Sequence, residues 1–106
     1  MAKIIWTEPA LRDLDAIAEY IALDKPSAAS RFVGKVLSKV DKLELYPKLG
    51  KKLRALPEFS YREIIIPPCR IFYRISGQET FIIHVVRDEK ELRTFMLNPK
   101  NQEPRT

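Results

Sequence analysis

Seven cations have types and spacing that could do chemistry. Lys51, Lys52 and Arg54 form one cluster, and Arg62, Arg70, Arg74 and Arg87 follow at wider intervals. Arginine and lysine can neutralise the charge that develops on a phosphorane, so phosphodiester cleavage needs no metal where such groups converge. The same set could equally hold a phosphate or an acidic protein surface with no chemistry at all. A proton-moving partner is harder to find. Tyr61 and Tyr73 are available, but Tyr73 falls on an apolar strand face and reads as core. His84 stands alone in the run FIIHVV; its ordinary pKa of about 6.5 suits acid–base work, yet a lone strand histidine reads first as a satisfied, partly buried residue. Asp13, Asp15 and Glu19 read as solubilising charge on a helix.

The stretch Tyr61 to Ser76, YREIIIPPCRIFYRIS, must position most of these cations. It predicts two strands joined at Pro67-Pro68. Strand side chains alternate, so Cys69, Ile71, Tyr73 and Ile75 share one face while Arg70, Phe72, Arg74 and Ser76 share the other. Arg62 shares a face with Ile64 and Ile66. A third strand is expected over Thr80 to Val86, entered by a turn at Ser76-Gly77-Gln78, where glycine can take positive φ.

Upstream, Lys3 to Trp6 predicts a short strand. Thr7 is the expected N-cap of a helix over Glu8 to Leu23, with Pro9 in its first turn and Leu11, Leu14, Ile17, Ala18 and Ile21 at helical spacing. Pro26 starts a second helix, expected to reach Leu45, with Ala29, Phe32, Val33, Val36, Val40 and Leu43 on one face. The short break between them implies an antiparallel hairpin. Tyr46 to Phe59 is expected to be a basic loop punctuated by Pro47, Gly50 and Pro57. Asp88 to Leu97 returns to helical spacing through Leu92, Phe95 and Met96, with Asp88 as N-cap, and predicts a short C-terminal helix. The fold class is therefore α+β, with a helix hairpin packed on a small, mostly antiparallel sheet. Residues 1–97 are read as one domain, and 98–106 as a polar tail expected to be disordered.

With 106 residues, 45% of them hydrophobic, the chain can bury a core without staples. One cysteine and one histidine exclude an internal disulfide and a structural zinc set, and no cofactor or metal is expected. No apolar run approaches the roughly 20 residues of a membrane span, and no N-terminal signal pattern is visible; the cytoplasm is the default compartment. The net charge of +5 is unevenly placed. Residues 1–46 hold seven basic and seven acidic residues, whereas 47–106 hold twelve and seven. A neutral scaffold thus carries a basic working half.

The order of these pieces resembles the RelE/ParE family of toxins from bacterial toxin–antitoxin pairs. Trp6-Thr7-Glu8-Pro9-Ala10 followed by Asp13-Leu14, Ile17 and Tyr20-Ile21 is similar to that family's first helix. Pro26-Ser27-Ala28-Ala29 with Phe32 is similar to the start of its second. Leu43, Tyr46-Pro47 and Gly50 resemble its helix exit. Tyr61-Arg62-Glu63 and Cys69-Arg70-Ile71-Phe72-Tyr73-Arg74 resemble its central strands, and His84-Val85-Val86-Arg87 with Glu91-Leu92-Arg93 its ending.

The resemblance implies a domain that arrests growth unless a cognate antitoxin holds it. One branch of the family cuts messenger RNA inside the ribosome without metal; the other is described as poisoning DNA gyrase. For the cutting branch, the resemblance places Arg62, Arg87, Lys52 and Arg54 in catalytic roles. For either branch, Lys51, Lys52, Arg54, Arg62, Arg70, Arg74 and Arg87 would meet the target. Leu92, Phe95, Met96, Arg70 and Arg74 would meet the antitoxin, whose acidic tail folds on binding. Cutting members often carry a tyrosine or histidine close to the C-terminus. Here Phe95 stands there, and a phenyl ring stacks but transfers no proton. The Pro-x-Ala-Ala helix start is nearer the ParE-like branch. A third reading is a module that binds its antitoxin and has lost toxicity.

Overall fold

In the computed structural model, residues 1–54 and 61–87 are described. Strand β1 (Lys3–Trp6) leads into helix α1 (Glu8–Asp24), followed by α2 (Pro26–Asp41), β2 (Lys51–Lys52), β3 (Tyr61–Ile66), β4 (Cys69–Ser76) and β5 (Glu79–Arg87). The five strands form one sheet in the order β1-β5-β4-β3-β2. All neighbours are antiparallel except β1 and β5. The expected α+β class is borne out. The C-terminal helix at Asp88 to Leu97 and the tail at 98–106 lie outside the described residues.

The N-terminal half forms for the reasons its sequence suggests. The Thr7 hydroxyl accepts from the Ala10 amide and opens α1. Pro26 opens α2 after the break at Lys25, whose amide still bonds the Ile21 carbonyl. Helix α2 ends earlier than expected, because Lys42–Glu44 tightens into a turn of 3-10 helix that buries Leu43. Tighter last turns commonly satisfy the free carbonyls of a helix end.

The main core lies between the hairpin and one sheet face. Ala10, Leu14, Phe32, Val36, Val40 and Leu43 meet Ile64, Ile66, Cys69, Ile71, Tyr73, Ile82 and Val85 there. Strand β4 is the central element, with Cys69, Ile71, Phe72 and Tyr73 all buried. The face that Phe72 shares with Arg70 and Arg74 is not wholly a solvated one: Phe72 is 1% exposed, packed with Leu53, Tyr61 and Ile83 in a second, smaller core on the outer face. Leu53 supplies a lid from the loop that the alternation of β4 cannot reveal.

Two further differences concern the sheet edges. Lys51 and Lys52, expected in a loop, pair with Glu63 and Arg62 and so form an edge strand. At the other edge, β1 pairs with β5 only from Glu79 to Ile82. There the Thr7 amide and hydroxyl both bond the Ile82 carbonyl, and α1 continues alongside β5 where β1 leaves off. The β4–β5 ladder is irregular beside this point: Phe72 pairs with His84 and Tyr73 with Ile82, leaving Ile83 as an extra residue. The β4–β5 turn forms as expected, with Gly77 at φ 60°.

Candidate functional site

The basic residues are held at three separate places. Lys51, Lys52 and Arg54 are exposed at the β2 edge, next to the exposed Lys48. Arg62 lies opposite Lys52 on β3 but turns its guanidinium back onto the loop. Its Nη1 donates to the Gly50 carbonyl at 2.8 Å and reaches the Lys48 carbonyl at 3.5 Å. Arg70 and Arg74 stand on the outer sheet face. Arg70 is 3.7 Å from the Glu63 carboxylate, and the Arg74 guanidinium lies 5.0 Å above the Phe81 ring. Arg87 closes β5 with its guanidinium 4.0 Å above the ring of Tyr20 on α1. Of the residues the resemblance assigns to antitoxin binding, Leu92, Phe95 and Met96 lie outside the described residues.

These positions decide which cations can share a substrate atom. Arg62 lies opposite Tyr73 and Arg87 opposite Cys69. Four residues along β4 and two strand spacings across set their Cα atoms roughly 16 Å apart. Ile64, Ile71 and Val85 fill the core face between them. The structure therefore brings Lys51, Lys52 and Arg62 together at one edge and places Arg87 at another.

The loop that carries the exposed lysines is fixed by the sheet beneath it. The Tyr73 hydroxyl donates to the Pro47 carbonyl at 2.7 Å and accepts from the Gly50 amide at 2.8 Å. A Cβ on Gly50 would meet the Tyr73 ring and hydroxyl at 2.6 Å and the Glu63 carbonyl at 2.7 Å, so only glycine fits this approach. Burial raises the Tyr73 pKa above its ordinary 10.0, against smaller lowering effects from the Gly50 amide and the Arg62 charge. The phenol is thus a neutral anchor with both its donor and an acceptor position occupied.

At the opposite edge, one oxygen of Asp13 does two jobs. It accepts from the Val85 amide at 3.0 Å and lies 3.0 Å from His84 Nδ1. A carboxylate only accepts, so Nδ1 carries the hydrogen. Asp13 takes the bond that a strand carbonyl would take had β1 continued. This corrects its reading as solubilising charge, whereas His84 is the satisfied, partly buried residue expected. Periodicity could not find Asp13, because its partners lie 71 and 72 residues away.

An apolar groove of about 540 Å³ opens between the hairpin and the β3–β4 turn. Ile21, Ala28, Phe32, Pro67 and Pro68 line it, with Arg31 and Lys35 also in the wall. No metal-binding group of acidic, histidine and cysteine side chains occurs among the described residues. Nor is any described helix long and apolar enough to cross a membrane.

A helix hairpin on a five-stranded sheet, with lysines presented at its edge, defines a small basic domain suited to an acidic or phosphate-bearing partner. The family is settled by comparison: residues 4–92 match the ParE toxin of type II toxin–antitoxin systems (parDE), and the chain belongs to the RelE/ParE family of toxins. It is 35% identical over 88 residues to Toxin RelE2 of Caulobacter vibrioides, covering 82% of this chain and 92% of that one. It is 43% identical over 76 residues to protein Y4kP of Sinorhizobium fredii, covering 70% of this chain and 76% of the relative. Among solved structures, it is similar to the chromosomal ParDE toxin–antitoxin system from P. aeruginosa. The TM-score there is 0.70 and the identity 27%, over 84% of this chain and 98% of that one.

Proposed function

We propose that this toxin arrests growth by binding DNA gyrase, in the ParE-like manner, and is neutralised by a cognate antitoxin in a hetero-oligomeric complex in the cytoplasm. The observation that carries this reading is that Tyr73 and His84 are already engaged by hydrogen bonds within the fold while the edge cations are exposed. Lys48, Lys51, Lys52 and Arg54 are exposed together. Tyr73 has its hydroxyl bonded to the loop, and His84 is bonded to Asp13. Such an edge suits a contact surface better than a cleavage centre, which needs an acid or base within hydrogen-bond reach. The match to a ParE description and the ParDE neighbour support the same branch. Lys51, Lys52 and Arg54 are the proposed target contacts, with Arg70, Arg74 and Arg87 as flanking positive charge. An acidic antitoxin segment with an apolar stripe fits the groove beside Arg31 and Lys35; Leu92, Phe95, Met96, Arg70 and Arg74 remain proposed antitoxin contacts on the family resemblance.

A second reading is a ribosome-dependent endoribonuclease that works without metal, favoured by the relative named Toxin RelE2. Expression without antitoxin separates the readings. Gyrase binding predicts DNA-damage signalling with intact transcripts. The nuclease reading predicts codon-periodic cuts by primer extension on a translated message, and such cuts would overturn the gyrase proposal. Normal growth at high expression, with antitoxin binding kept, would mark a module without toxicity.

A further inference from the structure

We infer that Arg62 and Tyr73 are positioning residues: a latch that holds the 47–52 segment so that Lys48, Lys51 and Lys52 meet the target as one rigid unit. The inference rests on the reading of that edge as the contact surface, and it moves Arg62 from a contact role to a supporting one.

Four backbone atoms of the segment are held from below. Tyr73 takes the Pro47 carbonyl and the Gly50 amide, while Arg62 takes the Gly50 carbonyl and approaches that of Lys48. The two side chains stand opposite each other across β3 and β4, so the ladder fixes their spacing. Gly50 lies so close to the Tyr73 ring that no side chain could be inserted between them. Beyond the latch, strand pairing adds little: β2 is two residues long, and the Leu53 amide bonds the Tyr61 carbonyl at 3.1 Å. The lysine side chains themselves are exposed. Their positions relative to one another therefore depend on the backbone that Arg62 and Tyr73 hold. A pre-ordered loop gives up less entropy on binding than a free one, so the latch acts on affinity without touching the partner.

The prediction separates this role from a merely structural one. Tyr73→Phe keeps the ring in the core and removes the hydroxyl. Hydrogen exchange at the Gly50 amide should accelerate about tenfold, the scale of one to two neutral hydrogen bonds, while Ile71 and Val85 amides stay protected. Growth arrest should need about tenfold more Tyr73→Phe protein than wild type, with antitoxin binding unchanged. In a Lys51→Gln/Lys52→Gln background, adding Tyr73→Phe should change little, since the latch acts through those lysines. Arg62→Ala and Tyr73→Phe should likewise be less than additive.

Three results would overturn the inference. One is full toxicity of Tyr73→Phe where the lysine variant is weakened, which removes the latch alone. Another is additive loss when Tyr73→Phe joins the lysine changes. The last is full toxicity of the lysine variant itself, which removes the contact surface and the positioning role with it. Should Tyr73→Phe fail to fold, Arg62→Met read against the same lysine background gives the same decision.

Discussion

The two edges of the sheet solve one problem in opposite ways. An edge strand has backbone groups with no neighbouring strand to bond. At the β2 edge, side chains of the sheet reach outward: Tyr73 and Arg62 hold the loop, and the loop's own lysines remain exposed. At the β5 edge, a helix side chain reaches inward: Asp13 takes the Val85 amide and His84 together, and Arg87 lies against Tyr20. One edge presents its charge and the other uses it. Positive charge in a sequence therefore says little about function until the fold shows which cations are already engaged.

The contrast can be broken from either side. The largest stability effect is expected from Gly50→Ala, whose new Cβ would press on both a buried ring and a backbone carbonyl. Chemical denaturation should show a loss at the upper end of the overpacking range, about 3 kcal/mol. Asp13→Ala comes next. It strips the Val85 amide and the His84 ring of their acceptor and should cost about 2 kcal/mol, within the range for an unsatisfied buried group. Asp13→Asn, which can still offer an oxygen, should recover part of it. If Asp13→Ala were neutral, the inward-reaching edge would not be stabilised as described.

Tyr73 gives a smaller effect with a distinctive pH dependence. Its pKa is raised in the fold, so the neutral phenol is favoured there. The stability it contributes is fully present below its ordinary pKa of 10.0 and is lost as pH rises through the folded value. Thermal melts should fall on the alkaline side of pH 10, and Tyr73→Phe should flatten that limb. The smallest stability effect belongs to Lys51→Gln/Lys52→Gln, expected within about 0.5 kcal/mol of wild type because both side chains are exposed.

The elements themselves were legible because their signals are local. Thr7 caps the helix that follows it through the amide three residues on, Pro26 starts the next, and the alternation through Tyr61 to Ser76 marks two strands with Tyr73 in the core. The edges were not legible. Asp13 and His84, Tyr73 and Gly50, and Arg62 and Gly50 are 71, 23 and 12 residues apart, and no periodic pattern joins them. Lys51-Lys52 resembles a loop because two residues are too short to alternate. The extra residue Ile83, likewise, leaves no mark in the run FIIHVV. Within the candidate site, the sequence could not show that Arg62 faces its own loop.

The most direct test of the account is a supercoiling assay on purified gyrase, titrating the wild-type toxin against Lys51→Gln/Lys52→Gln. The account predicts inhibition by wild type and roughly tenfold weaker inhibition by the variant, the loss expected from removing two well-placed charge contacts. Gyrase that supercoils normally at every wild-type concentration, or is inhibited equally by both proteins, would contradict it.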